Sequence, residues 1–389
     1  MENAERIKNL PPYLFAEIDK MIAKAKKEGV DVISFGIGDP DLPTPEKIID
    51  KMVEAIHDPS THSYPSYEGL YEYRKAVSDW YRKYYGVEFD SDKEVVSLIG
   101  SKEGISHLPF CYINQGDKAL VPDPGYPVYK TSVLLAGGEP TMVPLLEENN
   151  FLPDLNLIDE EVAKEAKIFF VNYPNNPTGA IADEEFYKKL INFAKKYDII
   201  IAHDAAYSEI GLGGYNPPSF MQFSGARDVG IEFNSLSKPF NMTGWRIGWA
   251  IGNEEVIESL GRIKTNIDSG IFEAIQYAGI EGLRNSMDNV KKMNEIYTRR
   301  RDILVNGLRE LGWNVKKNKA SFYLWAKVPE GFTSAEFSTY IFERTGVFFT
   351  PGNGYGAAGE GYIRIALTVN EDRIKEALDR IKKEDIKFV

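Results

Sequence analysis

The spacing of apolar residues changes between residues 94 and 250, where short β-rich runs alternate with amphipathic segments. Apolar residues that return every three or four positions indicate helices, whereas short continuous apolar runs are typical of buried strands. The predicted strands cover residues 94–99, 118–122, 140–145, 167–172, 198–203 and 229–234, and the clearest helix covers residues 183–197. This alternation predicts an α/β domain with a mostly parallel sheet that helices cover on both faces.

Helical spacing also occurs on both sides of this region, beginning with apolar residues from Leu14 to Ala25 that predict a helix ending at Gly29. Further helices are predicted at about 45–57, 68–85, 285–311 and 333–345 and at the end of the chain, with apolar runs at 313–316, 322–328, 347–351 and 362–368. The later pattern is that of a smaller α+β domain. We expect residues 1–44 to pack as a segment with that small domain, residues 45–285 to form the large domain and residues 286–389 the small one.

Composition narrows the possible functions. The 389 residues include 46 basic and 58 acidic side chains, and the net charge of -12 disfavours binding to nucleic acid or to an anionic membrane. No apolar stretch approaches the roughly 20 residues of a membrane span, and the charged N-terminus lacks the apolar core of an export signal. Cys111 is the only cysteine and there are four histidines, so neither an intramolecular disulfide nor a metal site is expected. The expected location is the cytoplasm.

The candidate chemistry centres on residues 231–248. Lys238 follows Ser235 and Ser237 closely, and Arg246 comes later in the same stretch. A lysine at the end of a strand, beside hydroxyls and a guanidinium, suits a nucleophile that forms a Schiff base next to a phosphate site. Most single lysines are solvated surface residues, so the surrounding groups are what favour a chemical role for this one.

Other candidates follow predicted strands, because ligands of open α/β sheets bind beyond the carboxyl ends of the strands. They are Ser101 and Lys102 at a helix start, Tyr126 in a Gly-Tyr-Pro turn, Asn176 in a loop fixed by Pro and Gly, and Asp204 with Tyr207. Pyridoxal phosphate would use all of these groups, since it has an aldehyde, a phosphate, a flat ring, a ring nitrogen that pairs with a carboxylate, and a phenolic oxygen. The sequence therefore predicts a pyridoxal-phosphate site.

Five motifs in a fixed order carry a resemblance to a known family. They are N-N-P-T-G (175–179), D-A-A-Y (204–207), S-L-S-K (235–238), M-T-G-W-R-I-G (242–248) and Y-I-R-I (362–365). Together they resemble the class I/II aminotransferases of pyridoxal-phosphate fold type I, over a region from Gly38 to Arg364. The resemblance implies a large cofactor-binding α/β domain with a smaller α+β domain, amino acid and 2-oxo acid substrates, and a homodimer with active sites at its interface.

The resemblance also implies roles around the cofactor ring. Lys238 would hold the cofactor covalently and then move the Cα proton of the substrate, which makes it the central catalytic residue. Asp204 would pair with the ring nitrogen, while Tyr207 and Asn176 would bind the ring oxygen. Tyr126 would stack on the ring.

A second set of implied roles concerns the phosphate and the substrate. The expected phosphate-binding residues are Ser101, Lys102, Ser235, Ser237 and Arg246, with Tyr64 reaching the phosphate across the homodimer interface. Arg364 would bind the substrate α-carboxylate in a bidentate pair, helped by the Gly38 amide and by Asn176.

Closer similarity concerns the substrate. Residues 10–18, 37–41, 99–105 and 350–368 resemble the LL-diaminopimelate aminotransferase branch. This implies transamination between LL-diaminopimelate and 2-oxoglutarate in lysine biosynthesis, with Lys102 near the distal end of the substrate and Tyr13 or Phe15 closing over it. Residues 64–69 lack the S-T-I-E-G-Y string of the plant-type enzymes. The alternatives are an aminotransferase for alanine, aspartate or aromatic amino acids, a carbon–sulfur lyase with the same cofactor, and a non-catalytic cofactor-binding regulator.

Overall fold

Three sheets contain the strands of residues 1–386, the part of the chain that the computed structural model describes. The strands are β1 (Ile33–Ser34), β2 (Val95–Leu98), β3 (Lys118–Asp123), β4 (Glu139–Pro144), β5 (Ala166–Asn172), β6 (Ile200–Asp204), β7 (Gly230–Ser235), β8 (Gly248–Gly252), β9 (Tyr323–Lys327), β10 (Val347–Phe348), β11 (Thr350–Pro351) and β12 (Tyr362–Ala366). The largest sheet has seven strands in the order β2-β8-β7-β6-β5-β3-β4. Strand β8 runs antiparallel to both of its neighbours, and the other pairs are parallel.

Helices surround these sheets. Within the same residues they are α1 (Glu5–Lys8), α2 (Leu14–Lys27), α3 (Glu46–Ile56), α4 (Tyr71–Tyr85), α5 (Ser101–Tyr112), α6 (Val128–Ala136), α7 (Glu160–Glu165), α8 (Glu184–Tyr197), α9 (Ala226–Val229), α10 (Glu254–Thr265), α11 (Glu273–Asn285), α12 (Met287–Glu310), α13 (Ser334–Thr345) and α14 (Glu371–Lys383). No helix among the described residues has both the length and the apolar character needed to cross a membrane.

The central sheet is buried on both faces, as the continuous apolar runs predict. Along β5, Phe169 and Val171 belong to one core cluster, whereas Ile168 and Phe170 belong to a second cluster across the sheet. Successive side chains of a strand point to opposite faces, so an uninterrupted apolar run fills both layers. The predicted α/β class with a mostly parallel sheet is confirmed, and all six predicted strands are present.

Two of the apolar runs after residue 311 do not form single strands. Residues 313–316 do not form a strand; Trp313 is buried there because its indole packs in the core while its Nε1 donates to the carbonyl of Lys327 at 2.6 Å. The run 347–351 is not one strand, since β10 pairs with β1 while β11 pairs with β12. Phe349 lies between them, so a single apolar run serves two sheets.

The first residues of the chain pack against late ones. Ile18 and Ile22 of α2 form a small apolar cluster with Phe348 of β10, and β1 extends this contact by pairing with β10. The loop that follows β1 reaches the segment after β7, where the carbonyl of Gly38 accepts a hydrogen bond from the Lys238 amine. The division at residues 44 and 285 stays a prediction, and residues 387–389 of the predicted small domain lie outside the described part.

Candidate active site

A cavity of about 300 Å³ lies beyond the carboxyl ends of β5, β6 and β7. Its walls include most of the residues that the sequence singled out: Tyr13, Phe15, Gly38, Ser101, Lys102, Tyr126, Asn176, Asp204, Tyr207, Ser235, Ser237, Lys238 and Arg246. They come from widely separated parts of the chain, and the parallel strands bring their ends to one edge of the sheet. Only Tyr64 and Arg364, among the predicted site residues, do not line the cavity.

The Lys238 amine projects into this cavity and donates a hydrogen bond to the carbonyl of Gly38 at 3.2 Å. Burial lowers the pKa of Lys238 to about 8, an effect that the nearby Asp39 carboxylate partly opposes and that Arg364 and Arg246 reinforce. A lysine with a pKa near 8 is neutral in an appreciable fraction of molecules, and only the neutral amine is a nucleophile or a base. The position of Lys238 therefore suits covalent catalysis.

The carboxylate of Asp204 lies at the end of β6, where it is buried. Its Oδ2 accepts a hydrogen bond from the Tyr129 hydroxyl at 2.7 Å, and its Oδ1 accepts one from the backbone N–H of Ala206 at 3.2 Å. Burial raises the pKa of Asp204, whereas these two hydrogen bonds oppose that rise. A buried carboxylate in such a site needs a cationic partner, and a protonated ring nitrogen would supply one.

Tyr207 offers a donor on the same wall of the cavity. Its hydroxyl lies 3.0 Å from the hydroxyl of Tyr323, and burial raises its pKa well above the ordinary value. The hydroxyl therefore stays protonated and can donate to a phenolic oxygen of a ligand. Asn176, whose side chain also reaches the cavity, lies nearby at the end of the β5 loop.

An anion cradle forms the other end of the cavity, where the N-terminus of α5 meets the turn before β8. The exposed guanidinium of Arg246 donates to the carbonyls of Thr243 and Ile99 at 2.8 and 3.3 Å. A Cβ on Gly100 would lie 2.2 Å from Arg246 Nη2, and the backbone φ of +76° at this position also favours glycine. Three kinds of group here match a phosphate group. They are the backbone N–H groups at the start of α5, the hydroxyls of Ser235 and Ser237, and this guanidinium.

Arg364 lies on β12 and is fully buried. Its Nη1 donates to the side-chain oxygen of Asn176 at 2.8 Å and its Nη2 to the carbonyl of Gly36 at 2.5 Å, while Nε has no partner. The guanidinium carbon is 4.2 Å from the ring centre of Tyr323, which lies beneath it. These partners are all neutral, and a buried charge without a counter-ion is unfavourable, so the arrangement suits a receptor for an anionic substrate group.

The mouth of the cavity contains Tyr13, Lys102 and Tyr126. The Tyr13 hydroxyl is 3.4 Å from both the Lys102 amine and the Tyr126 hydroxyl, and the amine lies 4.5 Å from the centre of the Tyr13 ring. Phe15 packs edge-on against Tyr13. Tyr64 is elsewhere, 88% exposed on the surface, so its predicted role depends on a second subunit.

Sequence reasoning missed Asn172 and Tyr323. The Asn172 side chain donates to the backbone carbonyl of Asp204 at 2.7 Å and accepts from the backbone N–H of Asn176 at 2.7 Å, so it fixes two wall residues. The sequence signal that could have identified Asn172 is its position as the polar residue at the end of the apolar run 167–172. Tyr323 lies in the apolar run 322–328, where it suggests ordinary core packing, and a Cβ on Gly38 would lie 2.0 Å from its hydroxyl. Only the fold brings them together.

This fold and this cavity define a pyridoxal-phosphate enzyme of fold type I. The residues fit the cofactor, since a buried lysine, a buried carboxylate, a phenolic donor and an anion cradle lie around one cavity.

Comparisons with known proteins identify the family. The sequence model described as "Aminotransferase class I and II" matches residues 30–381. An LL-diaminopimelate aminotransferase from Halothermothrix orenii is 79% identical over 388 residues, 100% of both chains, and one from Moorella thermoacetica is 57% identical over 98% of both. The substrate-bound structure of BacF from Bacillus subtilis superposes with a TM-score of 0.96 at 36% identity, over 100% of this chain and 99% of that one. The chain belongs to the class I and II aminotransferase family and is a pyridoxal-phosphate-dependent aminotransferase.

Proposed function

We propose that this aminotransferase interconverts LL-diaminopimelate and 2-oxoglutarate with tetrahydrodipicolinate and glutamate, as a step of lysine biosynthesis. The 79% identity to a full-length relative named for this substrate carries the proposal. The cation at the cavity mouth adds physical support. A substrate with a charged group at each end requires a second binding residue besides Arg364, and the Lys102 amine lies at the mouth beside Tyr13.

In the proposed mechanism each residue has one task. The cofactor, when bound, supplies an aldehyde for the amino group and a ring that accepts electrons from the Cα–H bond. Lys238 moves the Cα proton because its lowered pKa makes the neutral amine available. Asp204 would keep a proton on the ring nitrogen, and Tyr207 would donate a hydrogen bond to the ring oxygen. Arg364 binds the α-carboxylate in a bidentate pair.

The substrate proposal predicts a ranking of half-reactions. We expect LL-diaminopimelate and glutamate to convert the bound cofactor to its pyridoxamine form about 10–100-fold faster than alanine, since each adds one charge-assisted contact at the distal end. Absorbance in single-turnover mixing, over a panel that adds aspartate and phenylalanine, measures the rates. Stoichiometric conversion without release of a side-chain fragment separates transamination from carbon–sulfur lysis.

Lys102→Met provides the matched variant for this panel. It is expected to lower the rate with LL-diaminopimelate more than the rate with alanine, because alanine has no distal group to bind. Faster conversion by alanine than by LL-diaminopimelate in the wild-type enzyme would contradict the proposed substrate.

We also propose that the enzyme works as a cytoplasmic homodimer in which Tyr64 contacts the phosphate of the other subunit. Two observations support the dimer. Tyr64 is 88% exposed and Ile267 is 55% exposed, and the two segments that carry them come together where Gly270 lies against the backbone of Ser66. Exposed apolar side chains that form one surface are typical of an interface. The single cysteine supports a reducing location.

Mixing two defective variants tests this arrangement. Tyr64→Phe is expected to weaken cofactor retention about 10–100-fold through loss of a hydrogen bond to phosphate, and Lys238→Ala to be inactive. Co-refolded in equal amounts, the two chains should regain about a quarter of wild-type activity at limiting cofactor. Random pairing puts about half of the chains in mixed dimers, and each mixed dimer has one intact site. No regain would mean that Tyr64 acts within its own chain or not at all.

A further inference from the structure

Tyr129 is the closest side-chain partner of Asp204, yet it does not line the cavity. It lies in the first turn of α6 with its side chain fully buried. Its hydroxyl donates to Asp204 Oδ2 at 2.7 Å, so this oxygen is hydrogen-bonded by a residue outside the cavity. The carboxylate still reaches the cavity wall.

Two neighbouring aromatic rings restrict the orientation of the Tyr129 ring. The ring stacks on Phe170 of β5, with centres 5.3 Å apart and planes 14° apart, and meets the ring of Tyr126 edge-on at 5.8 Å. Its backbone N–H donates to the carbonyl of Tyr126 at 3.1 Å. Tyr129 therefore supports both Asp204 and Tyr126, the two side chains assigned to the nitrogen and the face of the cofactor ring.

The contact has an electrostatic consequence. A buried carboxylate tends to take up a proton, whereas a hydrogen bond donated to it favours the ionised form. Tyr129 remains a donor because burial, together with Asp204, raises the pKa of its hydroxyl well above the ordinary value. The other titratable groups near this carboxylate are Lys238, across the cavity, the hydroxyls of Tyr126 and Tyr207, and His203, whose Nδ1 lies 3.2 Å from Glu232 Oε2.

We propose that Tyr129 is a positioning residue that holds Asp204 ionised and directed at the cofactor ring, so that the shared proton stays on the ring nitrogen. The proposal rests on the assignment of Asp204 to that nitrogen. Loss of the hydroxyl moves the proton towards the carboxylate, which weakens cofactor binding and removes the positive charge that draws electrons from the Cα–H bond.

The test compares Tyr129→Phe with Tyr81→Phe. Tyr81 is a matched control, since it is also fully buried and its hydroxyl donates to a buried carboxylate, Glu232 Oε1, at 2.6 Å, but it does not line the cavity. The readouts are the dissociation constant of the cofactor and the nitrogen-15 chemical shift of its labelled ring nitrogen as a function of pH. Thermal unfolding of the apoproteins measures the general cost of losing a buried hydroxyl.

We expect Tyr129→Phe to bind the cofactor about 10–100-fold more weakly, the effect of one hydrogen bond to a charged group. Its ring nitrogen should carry the shared proton in a smaller fraction of molecules than in the wild-type enzyme across the pH range below the titration of the pair. Tyr81→Phe should keep the wild-type values of both, even if its apoprotein melts earlier. In an Asp204→Asn background, Tyr129→Phe should add little, because no anion remains to be stabilised.

Three results would overturn the proposal: unchanged ring-nitrogen protonation in Tyr129→Phe, equal losses in Tyr81→Phe, or an undiminished effect in the Asp204→Asn background.

If Tyr129→Phe fails to fold, 3-fluorotyrosine at position 129 replaces it. This side chain has nearly the same shape and a more acidic hydroxyl, so its hydrogen bond to Asp204 is stronger and the ring nitrogen should hold the shared proton in a larger fraction of molecules. A shift in the opposite direction, or none, would also reject the role. If Asp204→Asn itself binds cofactor and turns over like the wild type, the assignment of Asp204 fails, and that outcome is distinct from failure of Tyr129 alone.

Discussion

Lys238→Ala is expected to lower turnover by roughly 10⁴-fold or more while the apoprotein stays folded. General-base catalysis by a positioned group contributes up to about 10⁴-fold, and Lys238 also provides the covalent attachment. Exchange of the substrate Cα proton with solvent deuterium measures the step directly. Lys238→Arg is the matched control for charge. It keeps a cation in the cavity but has no neutral amine near neutral pH, so it should lose as much activity. Substantial Cα exchange in either variant would contradict the role.

The same lysine has a stability consequence that needs no cofactor. Its pKa is about 8 in the folded protein and about 10.5 ordinarily. Between these values the native state binds fewer protons than the unfolded chain, so the stability contribution of Lys238 rises with pH. Apoprotein unfolding in urea at pH 8 and at pH 10 should therefore show a larger gain for the wild type than for Lys238→Met. An equal gain would mean that the amine is not desolvated.

The sequence was most informative at the ends of strands. Asp204 and Ser235 each close an apolar run, and the rule that ligands bind beyond such ends placed both in one cavity. Motif order supplied the rest, since nothing in the local pattern of residues 362–368 assigns Arg364 to this site. Buried strands appear in the sequence as short continuous apolar runs with clear ends. The six strands of the α/β region were therefore predicted within about two residues of their observed bounds.

The residues that support the site were harder to find from the sequence. Tyr129 and Asp204 are 75 positions apart, and Tyr323 and Tyr207 are 116 apart. Tyr129 lies on a helix and Tyr323 in an apolar run, and in both places the sequence alone suggests that the ring serves core packing. Hydrogen bonds over such separations depend on strand order and helix placement, which periodicity does not specify. Supporting contacts were therefore missed even where the residues named from the sequence do line the cavity.

The surroundings of Arg364 also depend on the fold. They bury its guanidinium charge among neutral groups. Its partners are the Gly36 carbonyl and the Asn176 amide, and aromatic rings of Tyr323, Tyr355 and Phe15 surround the guanidinium at 4.2, 4.9 and 5.4 Å. Cation–π contacts and carbonyls stabilise a buried guanidinium only in part. An anionic substrate group would complete the neutralisation, which favours its binding beside Arg364.

Arg364→Leu should therefore lower activity and leave stability unharmed. We expect kcat/KM to fall by roughly 10²–10⁴-fold for every amino and 2-oxo acid, because a bidentate pair supplies two charge-assisted hydrogen bonds. The free energy of unfolding of the apoprotein should stay the same or increase, since an apolar side chain replaces a buried charge that has no counter-ion. Steady-state kinetics and urea unfolding measure the two effects.

Arg300→Leu is the control that makes this contrast decisive. Arg300 is also buried, but its guanidinium forms a bidentate pair with Asp41 at 2.7 and 2.8 Å. Its removal leaves a partly buried carboxylate unpaired, and we expect a loss of about 1–3 kcal/mol in the free energy of unfolding. The two arginines should thus change stability in different directions although both are buried. Equal destabilisation by both substitutions would make Arg364 a structural residue and remove the argument that its charge awaits a substrate.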